Sequence, residues 1–396
     1  MGHVATHGRP RSRLIGYGVR PFLFLLLLLG VVACGDAIPA TPQAQQQARQ
    51  PTNRPASQPT VQSIAQPTPE ATITASATPA REPSSTTTVP PTPTATASLT
   101  PTPDPYAGLT IADLAARSYG GGELEVVQTL AVTGAFTRTL ITYPSDGLTI
   151  YGFMNVPAGP GPFPVALVLH GYIPPEQYGT IAYTTRYADA LARAGYLVIH
   201  PNYRNYPPSD EAEAFAGGRE TSDFRVGYAV DVLNLIAVVE AQGGRPGPLQ
   251  KADPEQMHLL GHSMGGGIAL RVVTVNPEVD AAVLYGSMSG DEYKNYERIL
   301  LWSNGEVGEG ELATPAEDMA RIAPIYHLAR IEAAVSIHHG EADDVVPPAW
   351  SEELCQRLRE LEKTVECFSY AGAPHTFRDE ADRLFQQRVV DFFNRY

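Results

Sequence analysis

Between residues 123 and 156 apolar and polar positions alternate, a period of two that predicts half-buried strands at 124–132, 136–143 and 148–156. Ser145-Asp146-Gly147 supplies the turn between the last two. From residue 163 the pattern changes to continuous apolar runs at 163–169, 196–200, 257–260, 281–285, 334–337 and 365–370, as expected for strands covered on both faces. Helical spacing fills the intervals at 183–194, 223–241, 266–273, 351–361 and 379–394, and Thr110 caps a short helix at 111–117. The stretch 223–241 reads as strongly amphipathic. Antiparallel opening strands followed by strands that alternate with helices predict an α/β fold, a mostly parallel sheet with helices on both faces. Residues 287–326 are longer than a plain connection needs. With Tyr293, Tyr296, Leu300, Leu301 and Trp302 set among acids, they read as a small helical cap, the alternative being an ordinary surface insertion.

The first hundred residues follow neither period. Arg9, Arg11, Arg13 and Arg20 precede or flank an apolar run at 21–32, too short to span a bilayer comfortably but suited to a signal sequence. It ends in Val31-Val32-Ala33-Cys34-Gly35, which resembles a bacterial lipobox with Val in place of the more usual Leu. The resemblance implies that residues 1–34 are a lipoprotein signal, that Cys34 carries the lipid, and that the protein is extracytoplasmic and anchored to the bacterial cell membrane. Residues 35–105 hold no aromatic residue and are rich in Pro, Thr, Ala, Ser and Gln, so they cannot bury enough apolar surface to offset chain entropy. They read as a disordered stalk, and 106–396 as the folded domain.

Charge narrows the partners. The formal net charge is −14, and loss of four arginines with the signal would make it −18. An acidic chain is a poor ligand for nucleic acid or an anionic membrane surface, so attachment would rest on acyl chains. With Cys34 assigned to the lipid, Cys355 and Cys367 remain, in a compartment where a disulfide persists. Cys355 lies beside Leu354 and Leu358 on the apolar stripe of the 351–361 helix, a stripe that Leu361 extends, and Cys367 lies in the next strand. Elements that must touch predict a Cys355–Cys367 bridge, the alternative being two buried thiols.

The candidate chemistry sits at Gly261-His262-Ser263-Met264-Gly265, where an apolar strand runs into a helix of small residues. This G-x-S-x-G turn holds its central residue in a strained conformation with the side chain clear of the backbone, at the positive end of a helix dipole. A serine hydroxyl there needs a base held by a third group. Downstream, Asp343 and Asp344 follow the strand that ends His339-Gly340, and His375 lies in the Gly/Pro loop 371–377.

Residues 140–396 resemble the catalytic domain of the prolyl oligopeptidase (S9) group and its dienelactone-hydrolase and esterase relatives, all α/β-hydrolases. The resemblance rests on His170-Gly171, Pro201-Asn202-Tyr203-Arg204, Gly261-His262-Ser263-Met264-Gly265-Gly266, His339-Gly340-x-x-Asp343-x-x-Val346-Pro347 and Pro374-His375. It implies that Ser263 is the nucleophile, Asp343 the acid rather than Asp344, and His375 the base. It also implies an oxyanion hole made by the backbone N–H groups of Met264 and Tyr172. Two departures stand out. Asn205 occupies the place of a usual Gly after Asn-Tyr-Arg, and no β-propeller precedes the domain.

The implied activity is acyl transfer by a serine hydrolase on a small-molecule or short-peptide substrate, without a cofactor. An S9-like peptidase and a carboxylesterase both fit, and a hydrolase fold kept as an inactive surface binding module is the reading from a different class. His170, His262 and His339 take structural or loop-shaping roles in that family, and His200 and His338 read as packed strand ends. No histidine or cysteine spacing resembles a metal site.

Overall fold

A computed structural model describes residues 104–212, 220 and 223–396. The expected signal, Cys34 and nearly all of the stalk lie outside the described residues. Among the described residues nine strands form one sheet: β1 (Glu125–Val132), β2 (Phe136–Ser145), β3 (Leu148–Pro157), β4 (Phe163–Leu169), β5 (Leu197–Pro201), β6 (Ala252–His262), β7 (Ala281–Tyr285), β8 (Ala334–Gly340) and β9 (Val365–Tyr370). Their spatial order is β1-β2-β3-β5-β4-β6-β7-β8-β9. The first three strands and the β3–β5 pair are antiparallel, and every later pairing is parallel. The helices are α1 (Ile111–Ala116), α2 (Thr185–Arg193), α3 (Val226–Gln242), α4 (Met264–Val275), α5 (Glu292–Trp302), α6 (Glu309–Leu312), α7 (Ala316–Ile322), α8 (Pro348–Glu360) and α9 (Asp379–Phe393).

The continuous apolar runs feed two cores. In β4, Val165, Leu167 and Leu169 enter one core, while Ala166 and Val168 enter the other. β7 divides in the same way, Ala282 and Leu284 against Ala281, Val283 and Tyr285. This is the period-two consequence of a strand covered on both faces. The first core lies under α1, α3, α4 and α8, and the second under α2 and α9. Six parallel strands in register therefore bring their carboxyl ends to one edge, where ligands bind in open α/β sheets. β1 is a different kind of strand, exposed on nearly every residue and paired to β2 through two register shifts.

Several sequence expectations are corrected. The 223–241 segment is not amphipathic: α3 is buried on almost every side, from Val226 through Val239. It also starts three residues late, because Phe224 (φ 51°) and Arg225 (φ 58°) take the left-handed conformation. Leu361 does not continue the apolar stripe of α8; it follows the helix and is 43 % exposed. Asn205, in the place of a usual Gly, takes φ 64°, a region open to glycine that Asn tolerates better than most residues. Cys355 in α8 and Cys367 in β9 are joined by a disulfide, with Cα atoms 6.4 Å apart. Residues 287–326 carry α5, α6 and α7, with α5 standing beside the edge where the candidate residues gather.

Candidate active site

Ser263 occupies the single residue between β6 and α4, at φ 56° and ψ −117°. Few residues other than glycine are found there, and the strain is held by its neighbours. Its N–H donates to Tyr285 O on β7 at 2.9 Å. Its own carbonyl accepts from the N–H groups of Gly266, Gly267 and Met288 at 3.0, 3.2 and 3.1 Å. The two motif glycines have a steric reason. A Cβ on Gly261 would run into the Gly265 carbonyl, and one on Gly265 into the Leu169 carbonyl of β4. The turn thus closes tightly enough to leave the half-buried Ser263 side chain at the sheet edge.

Asp343 follows β8 and His375 follows β9. His375 Nδ1 lies 2.7 Å from Asp343 Oδ2, while Asp343 Oδ1 accepts the N–H groups of Val345 and Val346 at 2.9 Å each. His339 Nε2 lies 3.0 Å from the same Oδ2. Burial works to raise the Asp343 carboxyl, but the His339 and His375 hydrogen bonds and these backbone donors outweigh it and hold it far below the usual range. An ionised Asp343 requires the proton on His375 Nδ1, which leaves Nε2 as the basic nitrogen. Asp344, the competing carboxylate, is exposed, and among the described residues it engages through its backbone, whose carbonyl accepts from Arg298 Nη2 at 2.6 Å.

What seats this pair against the Ser263 turn is Gly286, next to the Tyr285 carbonyl that receives the Ser263 N–H. Gly286 has φ +49°, and a Cβ there would lie 3.2 Å from His375 Nδ1 and 3.5 Å from Asp343 Oδ2. No hydrogen bond joins Ser263 Oγ to His375 Nε2, and among the described residues neither atom is taken by another group. Such bonds commonly tighten only once substrate is bound. Met264 is the first residue of α4, where an N–H has no partner within the helix. Tyr172 follows β4 through Gly171, whose Cβ position lies 3.0 Å from Ser263 Cβ. The two residues expected to supply the oxyanion N–H groups are therefore close to the serine, Met264 as its neighbour in sequence and Tyr172 as the residue after a glycine packed against it.

A chain of hydrogen bonds behind these residues was not legible in the sequence. Gly171 N–H donates to Tyr183 Oη at 2.9 Å, and Tyr183 Oη–H donates to His262 Nδ1 at 2.6 Å. His262 Nε2–H then donates to the carbonyl of His375 at 3.0 Å. Burial, helped by the nearby His375, pushes His262 down to about 3, so the ring is neutral and the direction of donation is fixed. Loop 371–377 is held a second time where Phe377 N–H donates to Tyr285 Oη. His339, in turn, accepts from Ser351 Oγ at its Nδ1 at 2.6 Å, which turns its Nε2–H toward Asp343 and the Val346 carbonyl. Among the described residues no group of three or more His, Cys, Asp or Glu side chains is placed to hold a metal ion.

Residues 150–396 match the Dienelactone hydrolase family. The chain belongs to this family. A Synechocystis sp. relative, described provisionally as a carboxymethylenebutenolidase, is 25% identical over 244 residues, covering 60% of this chain and 85% of its own. Acetyl xylan esterase 1 of Thermoanaerobacterium sp. superposes with a TM-score of 0.51 at 17% identity, over 68% of this chain and 88% of that one. An acylaminoacyl peptidase of Pyrococcus horikoshii gives 0.53 at 20% identity, over 66% of this chain and 42% of that one. The fold is that of the α/β-hydrolases, shared by esterases and S9 peptidases alike.

In this dienelactone-hydrolase family member a cavity of about 370 Å³ opens beside the serine. Its wall includes Tyr172 and Met264, the two residues expected to supply the oxyanion N–H groups, together with α5 and the start of α3. Arg225 reaches it from a buried ion pair with Glu292, which Arg271 shares at 2.6 Å.

Proposed function

We propose that this chain is a serine hydrolase that cleaves esters through an acyl-enzyme. The observation that carries the proposal is the 2.7 Å His375–Asp343 contact beside a serine at φ 56°. In the forward step Ser263 Oγ attacks the substrate carbonyl as its proton passes to His375 Nε2. Asp343, ionised and buried, steadies the imidazolium that forms. The Met264 and Tyr172 N–H groups stabilise the oxyanion, a contribution on the order of 10²-fold or more per donor in enzymes of this kind. His375 returns the proton to the leaving oxygen, and water then releases the acyl group by the reverse sequence.

Esters are favoured over peptides by family membership. A peptidase reading draws on the fold shared with the acylaminoacyl peptidase, of which this chain covers 42%.

The test is labelling with a fluorophosphonate, followed by turnover of p-nitrophenyl esters and of aminoacyl and prolyl amides. Ser263→Ala should abolish labelling and lower ester turnover by on the order of 10⁵-fold. Labelling that persists in Ser263→Ala overturns the nucleophile, and amides cleaved faster than esters of the same acyl group overturn the esterase reading.

A further inference from the structure

The two halves of an ester leave the reacting carbon in different directions, and the site distinguishes them. The leaving oxygen must stay within reach of His375 Nε2, the group that reprotonates it. The oxyanion must point between Met264 and Tyr172. The remaining substituent, the acyl chain, points away from His375. The 370 Å³ cavity is lined by Met264 and Tyr172 but by neither His375 nor Asp343, nor by any residue of loop 371–377 or α9. With Met264 and Tyr172 in its wall and Ser263, Asp343 and His375 outside it, the cavity lies where the oxyanion donors are expected rather than at the base.

Its chemistry is apolar. Met288 and Tyr296 are buried in the first core, and Tyr228 and Ile299 pack against it. Trp302 stands at the mouth, 46 % exposed. Among the described residues the guanidiniums of Arg225 and Arg271 share the Glu292 carboxylate, and Arg225 also lies over the Tyr296 ring at 5.3 Å from its centre. The one cation among the described wall residues, Arg225, is already held by Glu292 and is not offered to an ionic acyl group. At a water's share of ~30 Å³ per heavy atom, the cavity holds about a dozen atoms.

We propose that this cavity is an acyl pocket and that the substrate's acyl group is an uncharged aliphatic or aryl chain of about six to ten carbons. The proposal rests on the serine-hydrolase reading above. It makes α5, from the inserted helical segment, the element that sets specificity, with Ile299 as a specificity-determining residue.

The experiment is a p-nitrophenyl ester series with one leaving group: acetyl, butyryl, hexanoyl, octanoyl, benzoyl, and a glutaryl monoester ending in a carboxylate. Each buried methylene is worth roughly fourfold, so kcat/KM for hexanoyl should exceed that for acetyl by on the order of 10²-fold. The glutaryl ester should fall at least about tenfold below hexanoyl, because its carboxylate would enter an apolar wall unpaired. Ile299→Trp, which narrows the pocket, should lower the hexanoyl-to-acetyl ratio at least about fivefold. Fluorophosphonate labelling of Ser263 is measured on every sample. With labelling intact, an acetyl ester turned over as well as hexanoyl, a preferred glutaryl ester, or a ratio unmoved by Ile299→Trp overturns the acyl pocket and leaves the serine hydrolase standing. No labelling and no turnover across the series overturns both.

Discussion

Tyr183→Phe removes one oxygen and tests the hydrogen-bond chain behind the site. Two buried partners lose by it. Gly171 N–H loses its acceptor at 2.9 Å, and His262 Nδ1 loses its donor at 2.6 Å. Each orphaned group costs about 1–3 kcal/mol, partly offset because the hydroxyl itself no longer has to be desolvated, so a net loss of ~2 kcal/mol is expected. The domain should still fold, since single domains are typically stable by about 5–15 kcal/mol. The functional loss has a separate origin. Without the Tyr183 proton, His262 is free to carry its hydrogen on Nδ1, and the His375 carbonyl then loses its donor at 3.0 Å. Loop 371–377 loosens at its reactive residue while the Gly171–Tyr172 segment loosens on the other side of the serine. Misplacement of this order lowers kcat by about 10- to 100-fold with little change in KM. The assay is urea unfolding together with steady-state kinetics on an ester that the wild type turns over. Tyr178→Phe is the control: its hydroxyl donates to Asn202 Oδ1 at 3.0 Å, outside the chain, and it should cost stability while kcat stays within about threefold. A Tyr183→Phe enzyme with wild-type kcat, or an equal kcat loss in Tyr178→Phe, refutes the reasoning.

Asp343→Asn should lower kcat by on the order of 10³–10⁴-fold, because an amide cannot hold the His375 tautomer, whereas Asp344→Asn should change it by no more than a few-fold; the opposite ranking would transfer the role. Acid should destabilise the fold well above the carboxylate range. Burial holds His262 and His338 near about 3 and His200 well below its ordinary value. The unfolded chain, with histidines near about 6.5, therefore binds protons that the folded one refuses, and stability is lost as pH falls below that value. At pH 5 each of the three rings accounts for up to about 2 kcal/mol. Urea midpoints at pH 7.5, 6.0 and 5.0 should fall steadily, and a midpoint that does not move over that range counts against the neutral buried rings.

The strands and the candidate triad were legible because their signals are local. A run such as Phe163–Leu169 can bury both faces in only one kind of sheet, and the G-x-S-x-G turn carries its own steric logic in Gly261 and Gly265. The preference for Asp343 over Asp344 is local too. The turn after Gly340 folds Val345 and Val346 N–H onto Asp343 Oδ1 and leaves Asp344 outside. The left-handed pair Phe224–Arg225 had no such signal, since neither residue favours positive φ on its own.

Tertiary structure alone decided which residues support the triad and what lies beside it. Tyr183 and His262 are 79 positions apart, and His262 and the His375 carbonyl 113. No periodicity or turn preference links such residues; they meet because the strand order puts the ends of β4, β6, β7, β8 and β9 along one edge. Gly286 reads in the sequence as one more glycine after a strand, and only the packed His375–Asp343 pair shows why a Cβ there would crowd them. The cavity is likewise assembled from β4, α3, α4, β7 and α5 ends that are scattered through some 140 positions, from Tyr172 to Glu311. The elements, the strained serine turn and the order of the candidate residues are consequences of short-range sterics and hydrophobic period, and so can be read along the chain. Hydrogen-bond partners and pocket shape depend on which elements end up adjacent, and that is a property of the assembled sheet rather than of any stretch of chain.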